Sequence, residues 1–259
     1  VPNHMVPQIT QDAFKMYPAA NILAMRKGDL AKDRRAEFTA KIATGNWDLI
    51  IMPHSSFGKL PVSNETYTSF MTEKLDELRA YLDILREQEG ERAPSVKQIE
   101  AAIKRQELRI AKRAEKGEKD VGVTWEDLGV DMLMVDEAHY YKNLYFPTRM
   151  TNVAGLASAE SDRAFDLYMK TQYITRINNG RGVVFSTGTP ISNTLGETYV
   201  MLSYLMGPKL REMGLAHFDS WAGTFTRQDT SAELTVAGQY RPRTRLKFSN
   251  IQELVSLFR

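Results

Sequence analysis

Met132-Leu133-Met134-Val135-Asp136-Glu137-Ala138-His139 is the stretch whose reading decides the fold. An apolar run passes straight into two carboxylates. Further along, Gly182-Val183-Val184-Phe185 passes in the same way into Ser186-Thr187-Gly188-Thr189-Pro190. Each reads as a short strand that ends in small polar or acidic residues. Between them, residues 161–178 carry Phe165, Leu167, Tyr168, Tyr173, Ile174 and Ile177 at helical spacing, with Ser161 placed to cap. A helix there is the expected right-handed crossover between two parallel strands. In an open parallel sheet, ligands sit outside the strand carboxyl ends.

Upstream, the same alternation holds. Residues 7–17 read as a helix stopped by Pro18, and residues 21–25 as a strand. Residues 32–44 read as a helix stopped by Gly45-Asn46, and residues 47–52 as a strand ended by Pro53. Helix and strand in alternation predict an α/β fold with a parallel sheet covered by helices. The pattern then changes. Met71, Leu75, Leu78, Leu82 and Leu85 form one heptad seam. Val96, Ile99, Ile103 and Ile110 form another, with Gln106 in one slot. A turn at Glu89-Gly90-Glu91-Arg92-Ala93-Pro94 joins them into an antiparallel helical hairpin, inserted over residues 62–120. Its second arm is basic, through Lys97, Lys104, Arg105, Arg109, Lys112, Arg113, Lys116 and Lys119. That arm reads either as a solvated charged face or as an arm for nucleic acid or a partner protein. Residues 195–206 predict a helix stopped by Gly207-Pro208, and residues 211–259 a helical or irregular extension.

Bulk composition narrows the class. The 259 residues are 42% hydrophobic and 25% charged, which is ordinary for a globular protein. No apolar stretch approaches the roughly 20 residues needed to span a bilayer, and no secretory signal opens the chain. Cysteine is absent, which excludes disulfides and thiolate metal sites and fits a cytoplasmic location. A net charge of +2 does not itself argue for nucleic acid, so any such contact needs a local patch. The opening Val1-Pro2-Asn3-His4 and the close at Leu254-Val255-Ser256-Leu257-Phe258-Arg259 read as those of a piece excised from a longer protein.

The acidic pair suits a magnesium nucleotide. Asp136 offers an oxygen to Mg²⁺ directly or through water, and Glu137 is placed to orient and deprotonate an attacking water. His139 reads as a coupling residue, since it forms no zinc-type spacing. Thr187 and Thr189 bring hydroxyls beside the acids if the two strands are neighbours. The plainer readings are a helix N-cap with acids in its first turn and an ordinary strand-to-helix turn.

Asp136-Glu137-Ala138-His139-Tyr140-Tyr141-Lys142-Asn143 resembles the DEAH-x-x-K-N form of helicase motif II in the Snf-type, chromatin-remodeller-like ATPases of helicase superfamily two. Ser186-Thr187-Gly188-Thr189-Pro190-Ile191-Ser192-Asn193 is similar to their motif III, continued by residues 197–205. Val1-Pro2-Asn3-His4 resembles the end of motif Ia. Met52-Pro53-His54-Ser55-Ser56-Phe57 sits where motifs Ib and Ic would fall. Leu128-Gly129-Val130-Asp131 and Gly214-Leu215-Ala216-His217-Phe218-Asp219-Ser220-Trp221-Ala222 are similar to very large phage and mobile-element proteins of the DarB-like antirestriction kind. Those join such a helicase to an adenine-specific DNA methyltransferase region.

The resemblance implies an incomplete RecA-like parallel sheet, interrupted by the helical hairpin. Residues 1–61 and 121–210 would form its lobe and residues 211–259 an extension toward a second lobe. It implies ATP and Mg²⁺ as cofactors, with Asp136 as metal ligand, Glu137 as base and His139 beside them. It implies coupling through Thr187, Thr189, Lys142 and Asn143. It implies double-stranded DNA as partner, met by Asn3, His4, His54 and Ser55. Arg241, Arg243 and Arg245, with Lys247, alternate in an extended-looking segment. They would track a phosphate backbone or form a strap to the second lobe. No G-x-x-x-x-G-K-[ST] loop occurs in these residues, and the second RecA-like lobe is absent too. The chain is therefore expected to be inactive toward ATP on its own. The rival reading is a non-catalytic DNA- or protein-binding module that feeds a DNA methyltransferase.

Overall fold

The computed structural model describes residues 1–26, 28–29, 31, 34–117, 122–150, 153–154, 156, 161–191, 194–234 and 238–257, without the side chains of 115–117. Lys32 of the expected second helix, the basic side chains Lys116 and Lys119, and Ser192-Asn193 lie outside that description. The chain divides into two compact units.

The first unit comprises Val1–Phe70, Ile110–Ala138 and Met169–Gly188. A 3₁₀ turn, Asn3–Met5, leads into α1 (Val6–Met16), with Pro7 in the first turn where no N–H is needed. β1 (Ile22–Ala24), α2 (Arg35–Thr44), β2 (Leu49–Ile51) and the short α3 (His54–Phe57) follow. β1 and β2 are parallel, pairing Ile22 with Leu49 and Ala24 with Ile51. Val6 and Ala13 of α1 bury against Ile51, with Val1, Ile9, Ile22 and Leu49 around them.

β3 (Leu133–Asp136) and β4 (Val183–Ser186) also pair in parallel. α6 (Asp162–Ile177) is the crossover, and the Ser161 hydroxyl accepts the Ala164 N–H at 3.4 Å as the cap requires. The return to β4 is tight. Gly182 has φ +93°, and a Cβ there would come within 2.8 Å of Ile174 and 2.9 Å of the Asp131 carbonyl. Only glycine fits this turn. The fold is thus α/β, of the incomplete RecA-like kind. The expected single sheet is realised as two separate parallel pairs, β1–β2 and β3–β4. Apolar runs report burial, and a run alone does not say which neighbour completes the ladder.

α4 (Asn64–Glu89) and α5 (Pro94–Gly117) are the two arms of the expected hairpin. Leu78, Tyr81, Leu82, Leu85, Val96 and Ile99 form its core. Gly90, at φ +84°, makes the turn. Arg79–Glu107 and Arg86–Glu100 pair across the arms at 2.9 and 2.8 Å. The arginines of the basic arm are largely used within the chain. Arg109 pairs with Asp162 at 3.1 Å, and Arg113 reaches Asn64 and the Val62 carbonyl.

The second unit comprises Met71–Arg109, His139–Tyr168 and Thr189–Arg259. α7 (Gly196–Glu212) is interrupted where the sequence suggested, at Met206 (φ −142°, ψ 33°) just before Gly207-Pro208, and a second helical segment follows directly. Pro208 opens the second segment, where its missing N–H costs nothing. The expected helical or irregular extension holds two helices and, unforeseen, two paired strands. α8 (Phe218–Phe225), the antiparallel strands β5 (Thr226–Leu234) and β6 (Tyr240–Phe248), and α9 (Ile251–Leu257) follow in turn. Phe146, Tyr199, Phe218, Trp221 and Phe225 stack into an aromatic core.

Buried Asp219, at the start of α8, holds three segments together. It accepts hydrogen bonds from the Tyr81 hydroxyl, the Thr148 hydroxyl and the Arg149 N–H. Its removal strands one buried donor, the Tyr81 hydroxyl, and two part-buried ones. Asp219→Ala is expected to lower the unfolding free energy by about 3 kcal/mol in urea denaturation, and a loss under about 1 kcal/mol would contradict this account.

Candidate active site at the parallel strand ends

The register of β3 on β4 places Asp136 directly opposite Ser186. Parallel strands leave a sheet on the same side, so Glu137 and Thr187 emerge beside one another. Val135 (5% exposed) and Ala138 (0%) bracket the acids and anchor them, while Asp136, Glu137 and Thr187 are half-buried. Glu137 has φ +51°, a left-handed conformation uncommon outside glycine and asparagine. Such a residue costs of order 1 kcal/mol and persists only where its surroundings impose it. The first unit thus gathers Asp136, Glu137, Ser186 and Thr187 at one edge. Thr189 is exposed and belongs to the second unit.

A second cluster adjoins this edge. The Val1 ammonium donates to the Met52 carbonyl at 3.0 Å, and the His54 N–H donates to the Val1 carbonyl at 2.9 Å. Val1 therefore lies alongside residues 52–54 in the parallel sense. Burial lowers its ammonium pKa, partly opposed by the Asp136 carboxylate. The Ser55 hydroxyl donates to Asn3 Oδ1 at 3.0 Å, so the exposed candidates Asn3 and Ser55 stand together, with His4 also exposed. His54 departs from expectation. It is 9% exposed, and its Nε2 lies 2.8 Å from the Asp136 carbonyl oxygen. Its ring is taken up inside the fold and is not offered to a ligand at the surface. Fully buried Lys170 fixes the other end of this turn. Its Nζ donates to the Phe57 carbonyl at 3.0 Å and lies over the Phe57 ring at 4.2 Å.

The remaining candidates lie in the second unit. His139 packs on Tyr140, with ring centroids 4.5 Å apart. Asn143 is exposed. Lys142 pairs with Glu197 of α7 at 3.2 Å, the two side chains being 19% and 8% exposed. Lys142 is thus held in a largely buried ion pair. On β6, Arg241 is exposed, whereas Arg243 and Arg245 both pair with Glu233, at 3.1 and 2.8 Å. Sequence reasoning missed Glu197 and Glu233 as partners. The available signal for Glu197 was an acid in the first turn of a helix. For Glu233 none existed until the strands were paired.

Among the described residues, no group of three or more His, Asp or Glu side chains could hold a metal ion. Asp136 offers a single carboxylate. That set does not suit a structural zinc cage, but it does suit Mg²⁺, which keeps most of its waters and takes further oxygens from phosphates.

With this geometry goes a family. Over residues 3–259 the chain matches the family described as a probable helicase domain, and it belongs to that family. It is also 31% identical over 138 residues to the Defense against restriction protein B of Escherichia phage P1. The match takes in 52% of this chain and 6% of that protein's length. No solved structure matches the chain. The function is therefore helicase-related. Among the described residues, no helix is long and apolar enough to cross a membrane.

Two measurements probe the site's construction. Removing either Lys142 or Glu197 leaves an uncompensated buried charge. Each single alanine variant is expected to lose about 2–3 kcal/mol, and Lys142→Met/Glu197→Leu less than the sum of the two. Strict additivity in denaturation would contradict the pairing. Glu137→Gly relieves a positive φ and should leave unfolding stability within about 1 kcal/mol of the parent. A loss above about 2 kcal/mol would mean that the glutamate side chain supports the fold.

Proposed function

We propose that this chain carries the magnesium-and-water side of an ATP-driven, Snf-type DEAH motor that moves along double-stranded DNA. The observation that carries the reading is the Asp136↔Ser186 register, which brings an acidic strand end and a hydroxyl-bearing one to a single edge. Bound Mg²⁺ would neutralise phosphate charge. Asp136 would hold it, chiefly through water. Glu137, turned out of the strand by its left-handed backbone, would align the attacking water and take its proton. Ser186 and Thr187 would offer hydroxyls to the same nucleotide edge. Asn3, His4 and Ser55 would meet the DNA backbone, tied to the nucleotide edge through His54 and the Asp136 carbonyl. His139, Lys142, Asn143 and Thr189 would carry the nucleotide state onward. The phage P1 relative is named for defence against restriction, and a motor acting on DNA is compatible with that role.

The test is DNA-stimulated phosphate release in a protein that joins this chain to a phosphate-gripping loop. Glu137→Gln should slow turnover by about 10²-fold or more and leave DNA affinity unchanged. Turnover untouched by that substitution removes Glu137 as the base. The 259-residue chain alone should release no phosphate above its own Glu137→Gln control. DNA binding without turnover in every such assembly would favour a non-catalytic module.

A further inference from the structure

The β5–β6 ribbon has two different faces. Cross-strand partners share a face. The register Arg227↔Lys247, Asp229↔Arg245, Ser231↔Arg243 and Glu233↔Arg241 therefore puts five cations and two acids on one side. The basic residues there are exposed. The other side holds Thr226, Leu246 and Phe248, buried or half-buried toward the root. At the far end of the ribbon, Leu234 and Tyr240 face each other at 62% and 74% exposure.

Two details of the charge arrangement bear on what this face could meet. Arg227 and Lys247 stand directly opposite each other, an arrangement that destabilises a strand pair through like-charge repulsion. The Asp229 carboxylate, which feels both cations, offsets part of it. The two acids, moreover, each sit among the cations. Glu233 binds Arg243 and Arg245 together, and Asp229 binds Lys247 at 2.7 Å, which holds the Asp229 carboxyl below its ordinary pKa. Carboxylate and phosphate oxygens are acceptors of the same kind for an arginine fork or a lysine ammonium.

We infer that the β5–β6 ribbon is a duplex-DNA backbone clamp whose cations are held in readiness by Glu233 and Asp229. The proposal rests on the reading of this chain as part of a DNA motor and names a contact surface for it. A two-stranded ribbon is an element that the B-DNA major groove, about 12 Å wide, admits. Along β6 the cations recur every second residue, about 6.8 Å apart, a spacing suited to successive phosphates of one strand. Phosphates displace the two carboxylates, and the arginine forks pass from Glu233 to the DNA. The acids therefore lower affinity and guard against unspecific binding to any polyanion.

The test uses the 259-residue chain without nucleotide, so that a failed ATPase reading leaves it intact. Binding of a short fluorescent duplex is followed by anisotropy across a salt series. Glu233→Gln should tighten binding about twofold to fivefold, as expected for releasing two exposed ion pairs. It should also steepen the salt dependence by about one to two phosphate contacts. Asp229→Asn should act in the same direction. Arg241→Ala/Arg243→Ala/Arg245→Ala should weaken binding at least tenfold and flatten the salt slope. Because these side chains are exposed or half-buried and none lies in the core, far-ultraviolet circular dichroism should be unchanged in every variant. Duplex binding by the triple variant equal to the parent's, or no gain with Glu233→Gln, overturns the proposal. So does absence of duplex binding by the parent at low salt, or binding of single-stranded DNA alone.

Discussion

Everything at the candidate site depends on one backbone constraint, the in-register parallel pairing of β3 with β4. The side-chain period in a strand is two, so a slip of one residue would turn Asp136 and Ser186 to opposite faces of the pair. Two features prevent the slip. Gly182 enters β4 through a turn with no room for a Cβ, and its carbonyl accepts the Leu133 N–H at 2.8 Å. Val135 is buried where its exposed neighbour Met134 (63%) could not be placed without filling a core position with a longer side chain. The chemistry is therefore set by burial and by a glycine on the far side of the sheet.

The left-handed backbone of Glu137 follows from the same constraint. β3 ends at Asp136, and Ala138, with no exposed surface, must be buried at once. The chain has one residue in which to turn, and Glu137 takes the whole turn. Its carboxylate is thereby carried away from the strand direction that Asp136 follows. The two adjacent acids thus sit on different backbone conformations, Asp136 in the strand and Glu137 in the left-handed region.

Much of this was legible in the residues. The apolar runs before Asp136 and Ser186, the crossover with its Ser161 cap, and the heptad seams of α4 and α5 all report local periodicity, and local periodicity survives folding. What was not legible depended on partners distant in sequence. The β5 segment Thr226-Arg227-Gln228-Asp229-Thr230-Ser231-Ala232-Glu233-Leu234 has no apolar alternation. Its identity as a strand comes from cross-strand contacts such as Thr230–Thr244 and Asp229–Lys247. Pro208 marked the break at Met206, but not the second helical segment that starts from it, because a proline's local effect is the same at the start of a helix and after its end. His54, between Pro53 and two serines, has the look of a surface residue. The Asp136 carbonyl, 82 positions away, is one of the partners that take its ring inward.

That inward histidine changes how the two halves of the candidate site relate within the first unit. Residues 54–57 are braced at one end by His54 against Asp136 and at the other by Lys170 against the Phe57 carbonyl. Ser55 lies inside this span and holds Asn3. A helix as short as α3 has little cooperative stability of its own, so its position is set by these two braces. A salt bridge in place of the His54 contact would be stronger in isolation. The His54 ring, by contrast, reaches the Asp136 backbone carbonyl and leaves the Asp136 carboxylate to its own surroundings.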